Sequence, residues 1–188
     1  MLYPGFNILP RSVFWSADLN GRSDNTDVIH SRETNISDSR FKIDPYDPEQ
    51  LIGTLDVPFA NGQYEFTIIL EEGETDITDR QARIVDTILG IDEGFRSAMD
   101  EAAFRYFQVV DCPDAILKRE NVRENYGEFW FVVPPLNDSQ HDYFFINGGC
   151  TWEEEHGISF GVKNNQIVLC CIFDGIQSGN DLEDALRR

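Results

Sequence analysis

The chain has 188 residues, of which 41% are hydrophobic and 12% aromatic, a composition that indicates a folded protein and excludes an intrinsically disordered one. It carries 34 acidic and 15 basic residues, and the formal net charge of −19 disfavours direct binding to nucleic acid or to anionic membranes. Such a charge favours solubility and the fast capture of a cationic protein partner.

The first 50 residues are predicted to form an N-terminal segment that precedes the main domain. Residues 1–15 contain apolar positions interrupted by Pro4 and Pro10, which predicts one or two short edge strands, because edges tolerate proline. Residues 16–50 are rich in Asp, Asn, Ser and Pro, and predict a long polar loop. The main domain is expected to span residues 51–188.

The main domain begins with a predicted hairpin and two helices. The runs "LIGTLDVPF" and "QYEFTIIL" predict two strands, with Asn61-Gly62 supplying the positive-φ residues of the turn. Thr78, with Gln81 three residues later, has the spacing of a capping box and predicts the start of a helix. A second helix is predicted from about Asp92. The apolar stripes of the two helices are Ala82, Val85, Ile88 and Leu89, then Phe95, Met99, Ala102, Ala103 and Tyr106.

Four strands are predicted after the helices, at "EFWFVVPP", "HDYFFINGG", "HGISFGVK" and "IVLCCIFDG". Asn164-Asn165 can adopt the left-handed conformation of a tight turn and predicts a hairpin between the last two strands. The last strand is apolar throughout, which predicts a central strand covered on both faces. The order of elements predicts an α+β fold, with one or two helices packed on one face of a mostly antiparallel sheet.

The run from Glu153 to His156 is the best candidate for a catalytic or metal-binding cluster. Consecutive residues of an extended segment point in different directions, so only alternate residues such as Glu154 and His156 would converge on one ion. Cys150 and His156 are about 20 Å apart along an extended chain, and meet only if a sharp bend intervenes. We favour a structural interpretation, in which the acids are solvated, His156 packs or hydrogen-bonds at the turn, and Gly157 supplies a special backbone conformation.

No catalytic residue, cofactor or metal site is therefore predicted, and the protein is interpreted as a non-enzymatic one. The chain has no nucleophile elbow, phosphate-binding glycine loop or dinucleotide motif. Two alternatives remain open: a metal-dependent hydrolase that uses His156 and neighbouring carboxylates, and an intracellular acidic scaffold protein.

The stretch "WEEEHGISFGVKNNQIVLCCIFDG" resembles small bacterial domains that recur among immunity proteins of polymorphic toxin and type VI secretion systems. The matching positions are Trp152, Glu155, His156, Gly157 and the hairpin up to Gly175. The resemblance implies that Trp-x-x-Glu-His-Gly is an element of the fold, and that the protein neutralises a cognate antibacterial toxin by direct binding. No apolar run reaches the roughly 20 residues that span a bilayer, and no secretory signal is recognised, so a cytoplasmic location is expected.

The expected partner is a basic toxin domain, because complementary fields accelerate encounter. The residues predicted to contact it are acidic side chains in the loop before the first helix and at the approach to the last hairpin: Glu71, Glu72, Glu74, Asp76, Glu153 and Glu154.

Overall fold

The computed structural model describes residues 36–110, 117–137, 139–173 and 178–187. They form a seven-stranded sheet with helices, and the predicted α+β class is confirmed. The strands are β1 (Lys42–Ile43), β2 (Gln50–Val57), β3 (Gly62–Ile69), β4 (Tyr126–Val133), β5 (Tyr143–Cys150), β6 (Glu153–Lys163) and β7 (Gln166–Ile172). The α-helices are α1 (Asp79–Leu89), α2 (Glu93–Phe107) and α3 (Gly179–Leu186), and short 3₁₀ helices span Pro58–Ala60 and Arg119–Asn125. The strands predicted within residues 1–15 lie outside the described residues.

The strands lie in the sheet in chain order, and every neighbouring pair is antiparallel except β3 and β4, which are parallel. Helices α1 and α2 form the crossover that parallel pairing requires. Phe66 of β3 stacks on Phe131 of β4 with 4.6 Å between the ring centroids. We call this parallel β3–β4 junction the seam.

The predicted capping box is present at the start of α1. The Thr78 hydroxyl accepts a hydrogen bond from the Gln81 backbone N–H, and the Gln81 side chain accepts one from the Thr78 backbone N–H, both at 3.2 Å. The Gln81 side chain is buried, and its Nε2 also donates to the backbone carbonyls of Ile69 at 2.8 Å and Pro134 at 3.2 Å. One helix cap therefore also joins the ends of β3 and β4 across the seam.

Helices cover both faces of the sheet. Helix α2 packs on one face, where Phe95 stacks on Phe144 of β5 at 6.4 Å. Helix α3 packs on the other, since the Tyr143 hydroxyl donates to Glu183 at 2.5 Å and adjacent strand residues point to opposite faces. Hydrogen bonding from Lys163 lowers the pKa of the Glu183 carboxyl below its ordinary value. The predicted packing of a helix on one face of the sheet holds for α2, and α3 covers the opposite face.

The prediction of a central position for the last strand is wrong. In the described sheet β7 is an edge strand, and its residues 167–172 are half-buried. The predicted cover on both faces is present and accounts for the continuous apolar sequence, because α2 packs against one face of β7 and α3 against the other. The predicted loop 16–50 also contains structure, because β1 pairs with β2 and Phe41 is buried in the core.

Candidate partner-binding surface

Glu71 is buried in the loop between β3 and α1. Its carboxylate accepts hydrogen bonds from the backbone N–H groups of Leu136 at 2.7 Å and Asn137 at 3.0 Å, and the residue is only 3% exposed. The expectation that Glu71 lies on the exposed acidic surface is therefore wrong. The segment after β4 leaves two backbone donors without strand partners, and a carboxylate in the facing loop satisfies both.

The other acidic residues of this loop differ in burial. Asp76 is half-buried, and its carboxylate accepts from the backbone N–H groups of Ser37 at 2.8 Å and Ile77 at 2.7 Å. Glu72 and Glu74 are exposed, and neither makes a salt bridge with another residue in the described ranges. These two carboxylates are the accessible ones in the loop.

The acidic run before the last hairpin forms a large β-bulge. Cys150 pairs with Glu153 and Gly148 with Ile158, so residues 154–157 lie opposite Gly149 alone; we call these residues the β6 bulge. Gly157 closes it with a φ of +71°, and a Cβ at this position would lie 2.3 Å from the carbonyl oxygen of Gly148. The expected special conformation of Gly157 is confirmed.

His156 is on the surface of the β6 bulge. Its side chain is 53% exposed, and its Nδ1 lies 3.0 Å from Oε1 of Glu153. The chain does bend sharply after Cys150, yet the Cys150 side chain is buried and its thiol donates to the Glu153 carbonyl oxygen. In the described part of the chain, no three His, Cys, Asp or Glu side chains are placed to hold a metal ion. The geometry agrees with a hydrogen-bonding role for His156 at the turn.

Replacing His156 by alanine is expected to change the free energy of unfolding by less than about 1 kcal/mol, because its side chain is exposed and surface substitutions usually have small effects. Urea unfolding of the wild-type protein and of His156→Ala measures this difference. Metal analysis of both proteins provides the control. Stoichiometric zinc or manganese that disappears in the variant would instead support the hydrolase alternative.

The structure does not bring the two predicted acidic groups together. The loop with Glu72 and Glu74 follows β3 and contacts the segment after β4, whereas the β6 bulge lies beside the start of β4, where Tyr126 pairs with Cys150. The two groups are thus separated by the length of β4, roughly 25 Å. They form two acidic patches at opposite ends of the sheet.

Glu128 is an acidic residue that the sequence did not single out. It is exposed, has a φ of +51°, and lies at an irregularity of β4 between Gly127 and Trp130. Its Oε2 lies 3.6 Å from the position that a Cβ of Gly149 would take, so it joins the acidic patch at the β6 bulge. Glu128 reaches this position through the pairing of β4 with β5, and no local sequence motif predicts it.

A second feature missed by the sequence is the buried cation Arg96 on α2. Its guanidinium lies 4.7 Å from the ring centroid of Tyr126 and 5.1 Å from that of Phe129. The Tyr126 hydroxyl donates to Asp100 at 2.7 Å, and burial raises the pKa of Tyr126, so it remains a neutral donor. Arg123 also binds Asp100, at 2.6 Å. The network anchors α2 to the sheet, and its one sequence signal is the i,i+4 spacing of Arg96 and Asp100.

Most basic side chains of the described residues are engaged within the molecule. Salt bridges to carboxylates are made by Arg40, Arg80, Arg96, Arg105, Arg119, Arg123, Lys163 and Arg187. Among the described residues, the exposed carboxylates of Glu72, Glu74, Glu154 and Glu155 have no such partner. The negative field therefore comes from carboxylates that face solvent without a neighbouring cation.

A groove lies between α2 and the start of β7, with a volume of about 580 Å³. Its apolar lining comes from Phe95, Ala98, Ala102 and Ile167. The charged residues Asp92, Glu101 and Arg105 also line it. We call it the α2–β7 groove. It borders the edge of the sheet and is a second surface on which a partner has room to bind.

Residues 41–176 match the sequence family described as a domain of unknown function, DUF6985. The chain belongs to this family. The DUF6985 match includes all seven strands, α1 and α2, and ends before α3. Neither a search of curated proteins nor a search of solved structures found a match.

The described helices include α1, α2 and α3, of which the longest is α2 (Glu93–Phe107). None of them combines the length and the apolar character that crossing a bilayer requires.

Proposed function

We propose that this DUF6985 protein is a cytoplasmic immunity protein that neutralises a cognate antibacterial toxin by direct protein–protein binding. The observation that carries the proposal is the excess of exposed carboxylates that no basic side chain of the described residues neutralises. Desolvation of such a surface is compensated when the partner supplies cations. The proposed partner is therefore a basic toxin domain.

The proposed contact residues lie in the two acidic patches. Glu72 and Glu74 form one patch, and Glu153, Glu154 and Glu128 lie in or beside the other. Asp76 supports the first patch through its bonds to backbone N–H groups, and Glu71 holds the loop from within. Toxin neutralisation of this kind requires binding only, which agrees with the exposed, hydrogen-bonded position of His156.

The proposal is tested with the toxin domain encoded beside this protein's gene. Co-expression is expected to protect cells from that toxin, and the two purified proteins are expected to form a stable complex. If the two proteins form no complex and the cells are not protected, the proposal is wrong.

Replacing Glu72 and Glu74 by lysine is expected to reduce the association rate with the toxin domain about tenfold at low salt, because the patch then repels a basic partner. The same change is expected to weaken the dependence of the rate on ionic strength. Stopped-flow association at several salt concentrations measures both effects.

The matched control replaces Asp56 and Glu65 by lysine. These residues are exposed on β2 and β3, outside both acidic patches, and the substitution changes the net charge by the same amount. The association rate is expected to fall less in the control than in the Glu72–Glu74 variant. Equal reductions in the two variants would show that net charge, and not the Glu72–Glu74 patch, governs association.

A further inference from the structure

Tyr46 is the most exposed large hydrophobic residue in the described part of the chain, with 93% of its surface accessible to solvent. The other tyrosines that the structure describes, Tyr64, Tyr106, Tyr126 and Tyr143, are buried or half-buried. Tyrosine is enriched among the few residues that supply most of the binding energy of a protein interface, because it joins an apolar ring to a hydrogen-bonding hydroxyl. The ring of Tyr46 is accessible to a partner.

The turn that carries this ring, residues 44–49 between β1 and β2, is held by several hydrogen bonds; we call it the Tyr46 turn. The Asp44 N–H donates to the Gln50 carbonyl oxygen at 2.9 Å, and the Gln50 N–H donates to the Asp47 carbonyl oxygen at 3.1 Å. The Asp44 carboxylate accepts from the Tyr46 N–H at 2.8 Å, and the Asp47 carboxylate from the Glu49 N–H at 3.0 Å. Because this backbone is already ordered, a partner that binds the turn loses little affinity to conformational entropy.

The Tyr46 turn lies at the same end of the sheet as the acidic patch of Glu72 and Glu74. The Leu70 N–H, directly before the acidic loop, donates to the carbonyl oxygen of Glu49 at 2.8 Å. The Glu49 side chain is exposed and makes no salt bridge with another described residue. The exposed ring and the exposed carboxylates therefore belong to one surface.

The basic residues of this part of the chain do not reverse its charge. Residues 38–50 contain two of them, Arg40 and Lys42. Arg40 makes salt bridges to two aspartates, both at 2.7 Å. Lys42 is exposed on β1, where a single cation stands against the three exposed glutamates at this end of the described sheet. A partner surface that complements the turn is apolar where it meets the ring and basic around it.

We propose that Tyr46 is the anchor of the interface, and that it inserts into an apolar pocket of the toxin domain whose rim carries lysine or arginine. The ring fills the pocket, and the rim cations meet the face of the ring and the carboxylates of Glu49, Glu72 and Glu74. The inference rests on the proposed function for the identity of the partner. It names the anchoring residue and the kind of pocket that receives it.

A second copy of this chain is a poorer occupant of the surface. Each copy carries −19, so two such surfaces repel each other. Most basic side chains of the described residues are already paired with carboxylates of their own chain, and they are not available to form a basic rim.

The first test uses the full chain and a defined probe, β-cyclodextrin with an amino group on every sugar unit, which offers an apolar cavity with a cationic rim. NMR titration is expected to shift the ring signals of Tyr46, and Tyr46→Ala is expected to lose the binding. β-Cyclodextrin with a carboxylate on every sugar unit has the same cavity, and is expected to bind at least about tenfold more weakly at low salt.

The contribution of the local charge is measured with the same probe. Glu49→Lys is expected to weaken binding of the aminated cyclodextrin at least about threefold at low salt. Asp56→Lys is the matched control, because Asp56 is exposed near the other end of β2 and the change in net charge is the same. A smaller effect is expected for Asp56→Lys.

The second test uses the toxin domain encoded beside the gene. Tyr46→Ala is expected to weaken its binding at least about thirtyfold, the loss typical of an interface anchor. Tyr46→Phe keeps the ring and is expected to lose less affinity than Tyr46→Ala. Leu186→Ala removes another exposed apolar side chain, on α3, and is expected to leave the affinity unchanged. Thermal unfolding checks the fold of each variant.

Four results would overturn the inference: no shift of the Tyr46 ring signals, equal binding of the two cyclodextrins, equal effects of Glu49→Lys and Asp56→Lys, or a concentration-dependent dimer that Tyr46→Ala abolishes. The outcome is separable from the proposed function. If the toxin domain binds and Tyr46→Ala leaves its affinity unchanged, Tyr46 is not the anchor although the function stands. If no toxin domain binds while the aminated cyclodextrin does, the surface for a basic-rimmed pocket stands and the function falls.

Discussion

Gly157→Ala is expected to lower the free energy of unfolding by about 3 kcal/mol or more, through two effects that act together. The backbone of Gly157 has a φ of +71°, a conformation that costs an L-residue about 1 kcal/mol. The added Cβ would also lie 2.3 Å from the Gly148 carbonyl oxygen. Relief of that overlap requires movement of the β5 backbone, which pairs with β4 and β6 on its two sides.

Gly73→Ala separates the two effects. Gly73 has a similar φ of +83°, but a Cβ there would have no neighbour within 4 Å. Only the conformational cost is expected, about 1 kcal/mol. Urea unfolding of the two variants measures the difference, provided that the m-values agree. Equal losses of stability would show that the close approach of Gly157 to Gly148 is relieved without cost.

Glu71→Ala is expected to cost about 2–4 kcal/mol of stability, because it removes the acceptor of two backbone N–H groups. Those groups belong to Leu136 and Asn137, and Glu71 itself is only 3% exposed. The stability of Glu71→Gln is expected to lie between that of the wild type and that of Glu71→Ala. An amide offers one acceptor oxygen, and its own N–H group faces the second backbone donor.

The matched control for Glu71 is its neighbour. Glu72→Ala removes an exposed carboxylate without a salt bridge in the described part of the chain, and is expected to change stability by less than about 0.5 kcal/mol. Thermal and urea unfolding measure both variants. If alanine is tolerated equally at the two positions, Glu71 does not hold the segment after β4.

The elements predicted correctly are those specified by neighbouring residues. The β6–β7 hairpin turns at Asn164 and Asn165, with φ of +49° and +60°. The β2–β3 hairpin turns at Asn61, with a φ of +55°, but the positive φ predicted for Gly62 is not found. The capping box at Thr78 forms within four residues of chain. Each depends on a local conformational preference, so a single sequence contains the necessary information.

The features missed depend on which strands become neighbours. The edge position of β7 follows from the order of the sheet, and an apolar strand packed between α2 and α3 has the same pattern as a central one. Burial of Glu71 follows from the approach of the segment after β4, more than 60 residues along the chain. A run of acids in a polar loop gives no sign that one member faces inward.

The candidate site was also predicted only in part. The sequence identified Glu72, Glu74, Glu153 and Glu154 as acidic residues near turns, and the structure leaves Glu72, Glu74 and Glu154 exposed. It gave no indication that the two groups lie at opposite ends of the sheet, or that Glu128 lies over Gly149. The wide β6 bulge, which sets the position of Glu154, depends on the register between β5 and β6.

The seam implies an order of assembly for the sheet. From β4 to β7, and again from β1 to β3, each strand pairs with the one that follows it in the chain, so short loops close these contacts. Among the seven described strands, only β3 and β4 must pair across a long intervening segment, and closing that segment costs more entropy. The stacking of Phe66 on Phe131 and the hydrogen bonds of Gln81 across the seam form only when β3 and β4 pair. The two meanders are expected to form first, and joining them is the step that limits the folding rate.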